Sequence, residues 1–214
     1  MVASDGHMNE NTPSSIRLWH GSQRWEGKPH IRPSRPGCYE CGPGLYLTTS
    51  LNTARKYSKG AGKAVLMELD PDLRLLEDAF LTEDEMLGAI RSLPRVRNRA
   101  AVLADIRWAS ERMDGKPIPA STLVNVCVNN NALPGESGPA LAAWLTEKGI
   151  DASLGKDSAN EQWIVLFNPA KIRNAAPMKA ADAWEVGHCD LIQAQGHVRP
   201  RNRAAEAKRS KRTP

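Results

Sequence analysis

Ile16-Arg17-Leu18-Trp19-His20-Gly21-Ser22 is the stretch that decides how this chain is read. Its first four residues are a short apolar run of strand character, and a histidine, a glycine and a serine follow at the strand's end. A glycine beside a histidine there leaves room for a flat ligand to approach the backbone. Downstream, Gly42-Pro43-Gly44-Leu45-Tyr46-Leu47-Thr48-Thr49 joins a glycine loop to a brief strand, Leu45 to Thr48. Much later, Asn160-Glu161-Gln162-Trp163-Ile164-Val165-Leu166-Phe167 sets a glutamate at the head of an apolar strand.

The segments between these three carry their own signals. Gln23 to Gly44 is rich in Pro, Gly and Arg and reads as a long irregular loop, a kind that is usually functional or mobile. Ser50-Leu51-Asn52 supplies an N-cap for a short helix through Tyr57. Ala64 to Leu69 is a buried-strand run stopped by Asp70-Pro71. Thr82 to Met113 reads as helical, with capping-box spacing at Thr82-Glu83-Asp84-Glu85 and Val102, Leu103, Ile106 and Ala109 at helical intervals. Ser137 to Lys148 is another helix, ended by Gly149 in the C′ position. Ile150 to Leu154 and Gln162 to Phe167 read as strands, closed by Asn168-Pro169. Strands at both ends with helices between them indicate an α+β domain rather than a doubly wound sheet.

The chain has 214 residues, 41% of them hydrophobic, which is enough for one well-buried domain with tails. No run approaches 18 uninterrupted apolar residues, and the polar stretch from Met1 to Ser15 lacks a signal core; the expectation is a cytoplasmic protein with no membrane contact. A second start is available at Met8, so the residues before it are set aside from the fold. The domain is expected over 16–190, with tails at 1–15 and 191–214. Net charge is +5, yet His197 to Pro214 alone contributes +6, seven Lys/Arg against Glu206, and leaves −1 on the remainder. Such a tail reads as disordered, and it has the charge to track a phosphate backbone. Four cysteines without an export signal indicate free thiols. Cys38-Tyr39-Glu40-Cys41 has the spacing of half a zinc site that only His188-Cys189 could complete, so no metal is expected.

Taken in order, His20, Tyr46 and Glu161 resemble the His–Tyr–Glu core of the ADP-ribosyltransferases, the superfamily of poly(ADP-ribose) polymerases and diphtheria toxin. The resemblance runs from about Ile16 to Asn174. It implies a split mixed β-sheet core with an inserted helical segment at about 82–113, and NAD as substrate. It makes His20, Tyr46 and Glu161 the catalytic set. His20 holds a ribose hydroxyl, Gly21 offers backbone groups to the carboxamide, and Ser22 stands beside them. Tyr46 and Tyr57, eleven residues apart, enclose the nicotinamide ring. Arg24, Lys28, Arg32 and Arg35 lie in the loop where the pyrophosphate or a nucleic-acid target passes, and Arg32 is taken as the NAD contact. Ala54 departs from the serine that polymerase-like members often carry, which implies looser nicotinamide binding.

The chemistry asked of these residues is modest. Breaking the nicotinamide–ribose bond passes through an oxocarbenium-like state, which needs ribose clamps and a nearby carboxylate but neither a metal nor a covalent nucleophile. Counting back from Asn168-Pro169 without a gap puts Trp163 or Gln162 in the glutamate's slot, although strand alternation keeps Glu161 on the same face as Trp163. Ala159 stands where arginine-modifying relatives carry Gln or Glu, which argues against an arginine acceptor. The expectation is a mono-ADP-ribosyltransferase acting on a protein or nucleic acid, of the kind carried by bacteria and phages as toxins or effectors. The alternatives are an NAD glycohydrolase with the same site, or a catalytically silent nucleic-acid-binding relative.

Overall fold

The computed structural model describes residues 15–33, 39–59, 62–156, 161–187 and 189. Both charged and polar tails, Arg35, Cys38, Asn160 and His188 lie outside them. The elements run, in chain order, β1 (Ile16–Ser22), β2 (Leu45–Thr48), α1 (Leu51–Ser58), β3 (Lys63–Leu69), β4 (Phe80–Leu81), α2 (Glu83–Ser92), α3 (Arg99–Glu111), β5 (Ile118–Pro119), α4 (Ser121–Asn129), α5 (Ser137–Glu147), β6 (Ala152–Lys156), β7 (Gln162–Leu166), β8 (Ile172–Pro177) and α6 (Ala180–Val186). The class is α+β. Six strands form one sheet in the order β6-β7-β2-β1-β3-β8, and β4 and β5 form a small second sheet. Every paired strand in the large sheet is antiparallel, which corrects the expectation of a mixed sheet. The one parallel contact is an isolated bridge between Leu75 and Ala152.

The sheet is nonetheless split. β1 pairs with β3 along its whole length, from Ile16 opposite Leu69 to Ser22 opposite Lys63. β2 pairs with β7 through all four of its residues. Between β1 and β2 the ladder is a single pair, Trp19 opposite Thr48. Alternation explains what each half does with its faces. Ile16 and Leu18 of β1, Leu45 and Leu47 of β2, Val65, Met67 and Leu69 of β3 and Ile164 and Leu166 of β7 belong to one buried cluster that no helix enters. The two halves therefore share one buried cluster, which Leu73, Leu75, Trp25 and Ile31 from the connecting segments complete.

The outer faces take the helices. Trp19 and Leu66 pack with Leu51 and Ala54 of α1 and Ala183 of α6. Trp19 is fully buried, and its indole N–H donates to Gly187 O at 2.8 Å. On the other half, Val165 and Phe167 join the cluster built by α2 to α5. Among the described residues no helix is long and apolar enough to cross a membrane.

Local signals account for the element boundaries. Ser50 caps α1 by accepting from Thr53 N–H at 3.2 Å. Thr82 and Glu85 form the reciprocal capping box of α2. The helix expected to run on to Met113 breaks at Leu93-Pro94, since proline cannot continue it, and resumes as α3. Gly149 ends α5 at φ 75, in the left-handed region.

Buried Asp151 then locks the α5–β6 turn to the far end of β7. Its carboxylate accepts from Arg74 N–H at 3.0 Å and from the Asn168 amide at 2.7 Å, and its carbonyl accepts from Phe167 and Asn168 N–H. Asp151→Ala strands two of these donors, at about 1–3 kcal/mol for each buried group left unpaired. The expected loss is about 2–4 kcal/mol, read as a lower urea midpoint with an unchanged m-value. Asp72→Ala, which breaks only an exposed pair with Lys171, should leave the midpoint near wild type.

Candidate functional site

Where β1 and β2 part, a cavity of about 670 Å³ opens. His20, Gly21, Ser22, Tyr46, Tyr57 and Arg32 all line it, so six residues spread over 38 positions of sequence meet at one opening. Trp163 and Thr48 complete the wall toward β7. The loop after β1 forms the rim with Arg24, Trp25 and Lys28.

His20 spans the split. Its Nδ1 lies 3.0 Å from the carbonyl oxygen of Tyr46, which can only accept, so the ring donates from Nδ1. Burial lowers its pKa below the ordinary 6.5; the Tyr46 carbonyl opposes this and the Arg32 guanidinium adds a smaller depression. A neutral ring donating from Nδ1 carries its lone pair on Nε2. His20 is thus a fixed hydrogen-bond acceptor on the cavity wall.

Packing requires glycine at position 21. A Cβ there would sit 2.0 Å from the Ala54 carbonyl oxygen and 2.9 Å from Tyr57 Cβ, so its absence lets α1 lie directly on β1. That contact is what brings Tyr57 to the opening. The Tyr57 ring is 54% exposed and meets Trp163 edge to face, with centroids 5.6 Å apart and planes at 87°. The Trp163 indole N–H is buried without a partner among the described residues, which is rare for a side-chain donor.

Tyr46 contributes its ring to the wall and spends its hydroxyl locally. The hydroxyl donates to Gly42 O at 2.8 Å and accepts from Cys41 N–H at 3.1 Å. Burial pushes its pKa up to about 12, so it stays a neutral phenol. Gly42 adopts φ 114, and a Cβ there would reach Val124 Cγ1 at 2.7 Å; glycine alone fits.

Glu161 is placed differently from the other candidates. It stands just before β7, and its carboxylate does not line the cavity. Oε1 accepts from the Thr48 hydroxyl at 2.5 Å and Oε2 from the Thr53 hydroxyl at 2.8 Å. Thr48 Oγ1 also accepts from Ser50 N–H at 3.0 Å. Glu161 therefore sits one hydroxyl behind the wall, against the first turn of α1. Trp163, opposite Thr48 in the ladder, occupies the wall position itself. Thr53 and the wall role of Trp163 were not assigned from sequence; the Thr48-Thr49-Ser50 run and the one- or two-residue offset of Glu161 from Asn168-Pro169 were their only traces.

Arg32 is tied into its own loop. It pairs with Glu26 at 3.1 Å and donates to Arg24 O at 2.9 Å and to His30 Nε2 at 3.2 Å. Arg24 and Lys28 share the rim without an ion pair among the described residues. No group of three or more His, Cys, Asp or Glu among the described residues is arranged for a metal, and Cys38 and His188 lie outside them.

His20 gives the site a pH signature. The unfolded ring takes its proton near pH 6.5, while the folded ring takes it only lower, so acid favours the unfolded chain between the two. The contribution is complete above 6.5 and is lost as pH falls through the folded value. Between about pH 7.5 and about pH 5, wild type should lose more unfolding free energy than His20→Gln, the other histidines being common to both. Equal losses in urea titrations would remove His20 as the cause. Compared with known proteins, the chain matches no protein-family model, no curated protein and no solved structure.

Proposed function

We propose that this protein is a mono-ADP-ribosyltransferase that binds NAD in the cavity at the split and transfers its ADP-ribose to a macromolecular acceptor. The observation that carries the reading is convergence: His20, Gly21, Tyr46 and Tyr57, singled out by motif from separate segments, line one opening. Its volume of about 670 Å³ falls within the range of small-molecule sites. As a user of NAD it acts in the cytoplasm.

In this reading the lone pair on His20 Nε2 accepts a ribose hydroxyl, and the Gly21 backbone meets the carboxamide. Tyr46 and Tyr57 hold the nicotinamide ring, with Trp163 as a third aromatic wall. The bond from ribose C1′ to the nicotinamide nitrogen breaks, and its electron pair leaves with nicotinamide. An acceptor nucleophile bonds to C1′ and gives up its proton. Glu161 stabilises the positive charge that develops between these events. Because its two oxygens are held by Thr48 and Thr53, it needs no reorientation as that charge appears. Thr48 and Thr53 are positioning residues. Arg24 and Lys28 face the pyrophosphate more freely than Arg32, which their loop already employs.

The test is incubation with NAD labelled in its adenylate half, together with separate protein, RNA and DNA fractions. Wild type should label one fraction, and Glu161→Gln should reduce the rate by about 10²–10³, the usual effect of removing one transition-state stabiliser. Nicotinamide release without labelling would make the protein a glycohydrolase. Absence of both labelling and nicotinamide release would overturn the reading. Thr53→Val should lower kcat with little change in KM, since the lost hydroxyl orients Glu161 rather than binding NAD.

A further inference from the structure

Charge on this chain is segregated, and the segregation extends into the folded domain. Against a net +5, residues 197–214 hold +6 and the run Arg91-Ser92-Leu93-Pro94-Arg95-Val96-Arg97-Asn98-Arg99 holds +4, which leaves −5 on all the rest. Residues 86–104 contain no Asp or Glu. The run forms the reversal between α2 and α3, and its four arginines are all exposed. Arg99 closes the reversal by donating to Leu93 O at 2.9 Å. Arg91, Arg95 and Arg97 make no ion pair or side-chain hydrogen bond among the described residues.

The fold itself does not call for these charges. Arg91, in the last turn of α2, suits that helix end. Arg95, Arg97 and Arg99 instead crowd the start of α3, where the dipole is positive and the first turn holds no acid. Arg95 even adopts φ 47, a left-handed conformation that glycine or asparagine takes more easily. The acid nearest along α3, Asp105, is occupied by the Asn130 amide at 2.9 Å.

We propose that this corner binds the sugar–phosphate backbone of a nucleic-acid strand and holds it beside the cavity. The cluster is entirely arginine, whose planar fork matches phosphate oxygens. Exposed Asn129 and Asn131 border it, because Asn98 donates to Asn130 O at 3.0 Å and Arg97 N–H to Ala132 O at 3.1 Å. These amides reach sugar and base edges, which an acidic peptide does not offer. The second basic segment, at 197–214, points to the same class of partner. The corner also adjoins the site. Asn131 and Ala132 share a small recess with Tyr39, and Tyr39 lines the main cavity. Arg97 N–H is bonded to Ala132 O, so the arginine corner lies next to that recess. The binding surface stands without the chemistry proposed above; only the step that makes the held strand the acceptor rests on it.

The test uses the full chain and a fluorescein-labelled, mixed-sequence single strand of about 20 nucleotides, longer than a single-strand-binding site. Anisotropy is followed across a salt series. The triple variant R91Q/R95Q/R97Q should bind about tenfold more weakly, and its log–log salt slope should fall by about 2, at about 0.7 per lost phosphate contact. A charge-matched control, R107Q/K116Q/K179Q, should stay within about twofold of wild type, and all three proteins should share one thermal midpoint. Equal losses in both variants, or none in the first, would overturn the proposal. So would competition by polyglutamate as effective as competition by unlabelled strand, which would make the partner an acidic protein. If the corner variant loses binding while wild type transfers no label, the surface survives and the transferase reading fails.

Discussion

The single backbone pair between β1 and β2 is the constraint on which the rest depends. A continuous ladder there would make a flat six-stranded sheet whose apolar inner face needed a covering layer. With only Trp19 opposite Thr48, the two halves still share one buried cluster to which no described helix contributes, and the helices pack on the other faces. Opening the ladder leaves backbone groups without strand partners, and buried groups of that kind must be satisfied. His20 does this for Tyr46, whose carbonyl accepts a hydrogen bond from Nδ1–H in place of a ladder bond. The same bond that closes the gap fixes the tautomer of a residue that lines the cavity. Structure and site are one interaction here.

What was legible in the sequence was what local physics decides. The strand at Ile16, the Ser50 cap, the Thr82–Glu85 box and the Gly149 terminus each depend on a few adjacent residues, and each is present. α4 was not legible. Its Leu123, Val124 and Cys127 are buried, no side chain caps it, and a short apolar run does not declare its period. β8, Ile172-Arg173-Asn174-Ala175-Ala176-Pro177, is an edge strand held by pairing with β3, with little intrinsic β propensity beyond Ile172. α6 has seven residues and depends on docking Ala183 against Trp19's cluster. Strand direction is a property of the whole path, which is why a mixed sheet was expected and an antiparallel one is found.

The glycines show packing demands that the sequence did not declare. Gly21 was marked for ligand approach, yet the contact that forbids a side chain is with α1. The missing side chain lets α1 lie on β1, and α1 carries Tyr57 to the opening. Gly42 and Tyr46 are coupled similarly: the phenol holds the glycine loop, and the loop in turn carries Tyr39 and Cys41 to the rim.

The position of Glu161 follows from where β7 is anchored. Asp151 grips Phe167 and Asn168, so register is set from the strand's C-terminal end. Counting back through the ladder then puts Val165 opposite Tyr46 and Trp163 opposite Thr48, with no freedom to slide, since a one-residue shift would turn Ile164 and Leu166 out of the core. Any extra length must accumulate at the N-terminal end. That end runs past the wall to the first turn of α1, where the hydroxyls of Thr48 and Thr53 wait within hydrogen-bond reach. That end therefore delivers Glu161 to the two hydroxyls that hold its carboxylate, and Trp163, opposite Thr48, makes that stretch of the cavity wall aromatic.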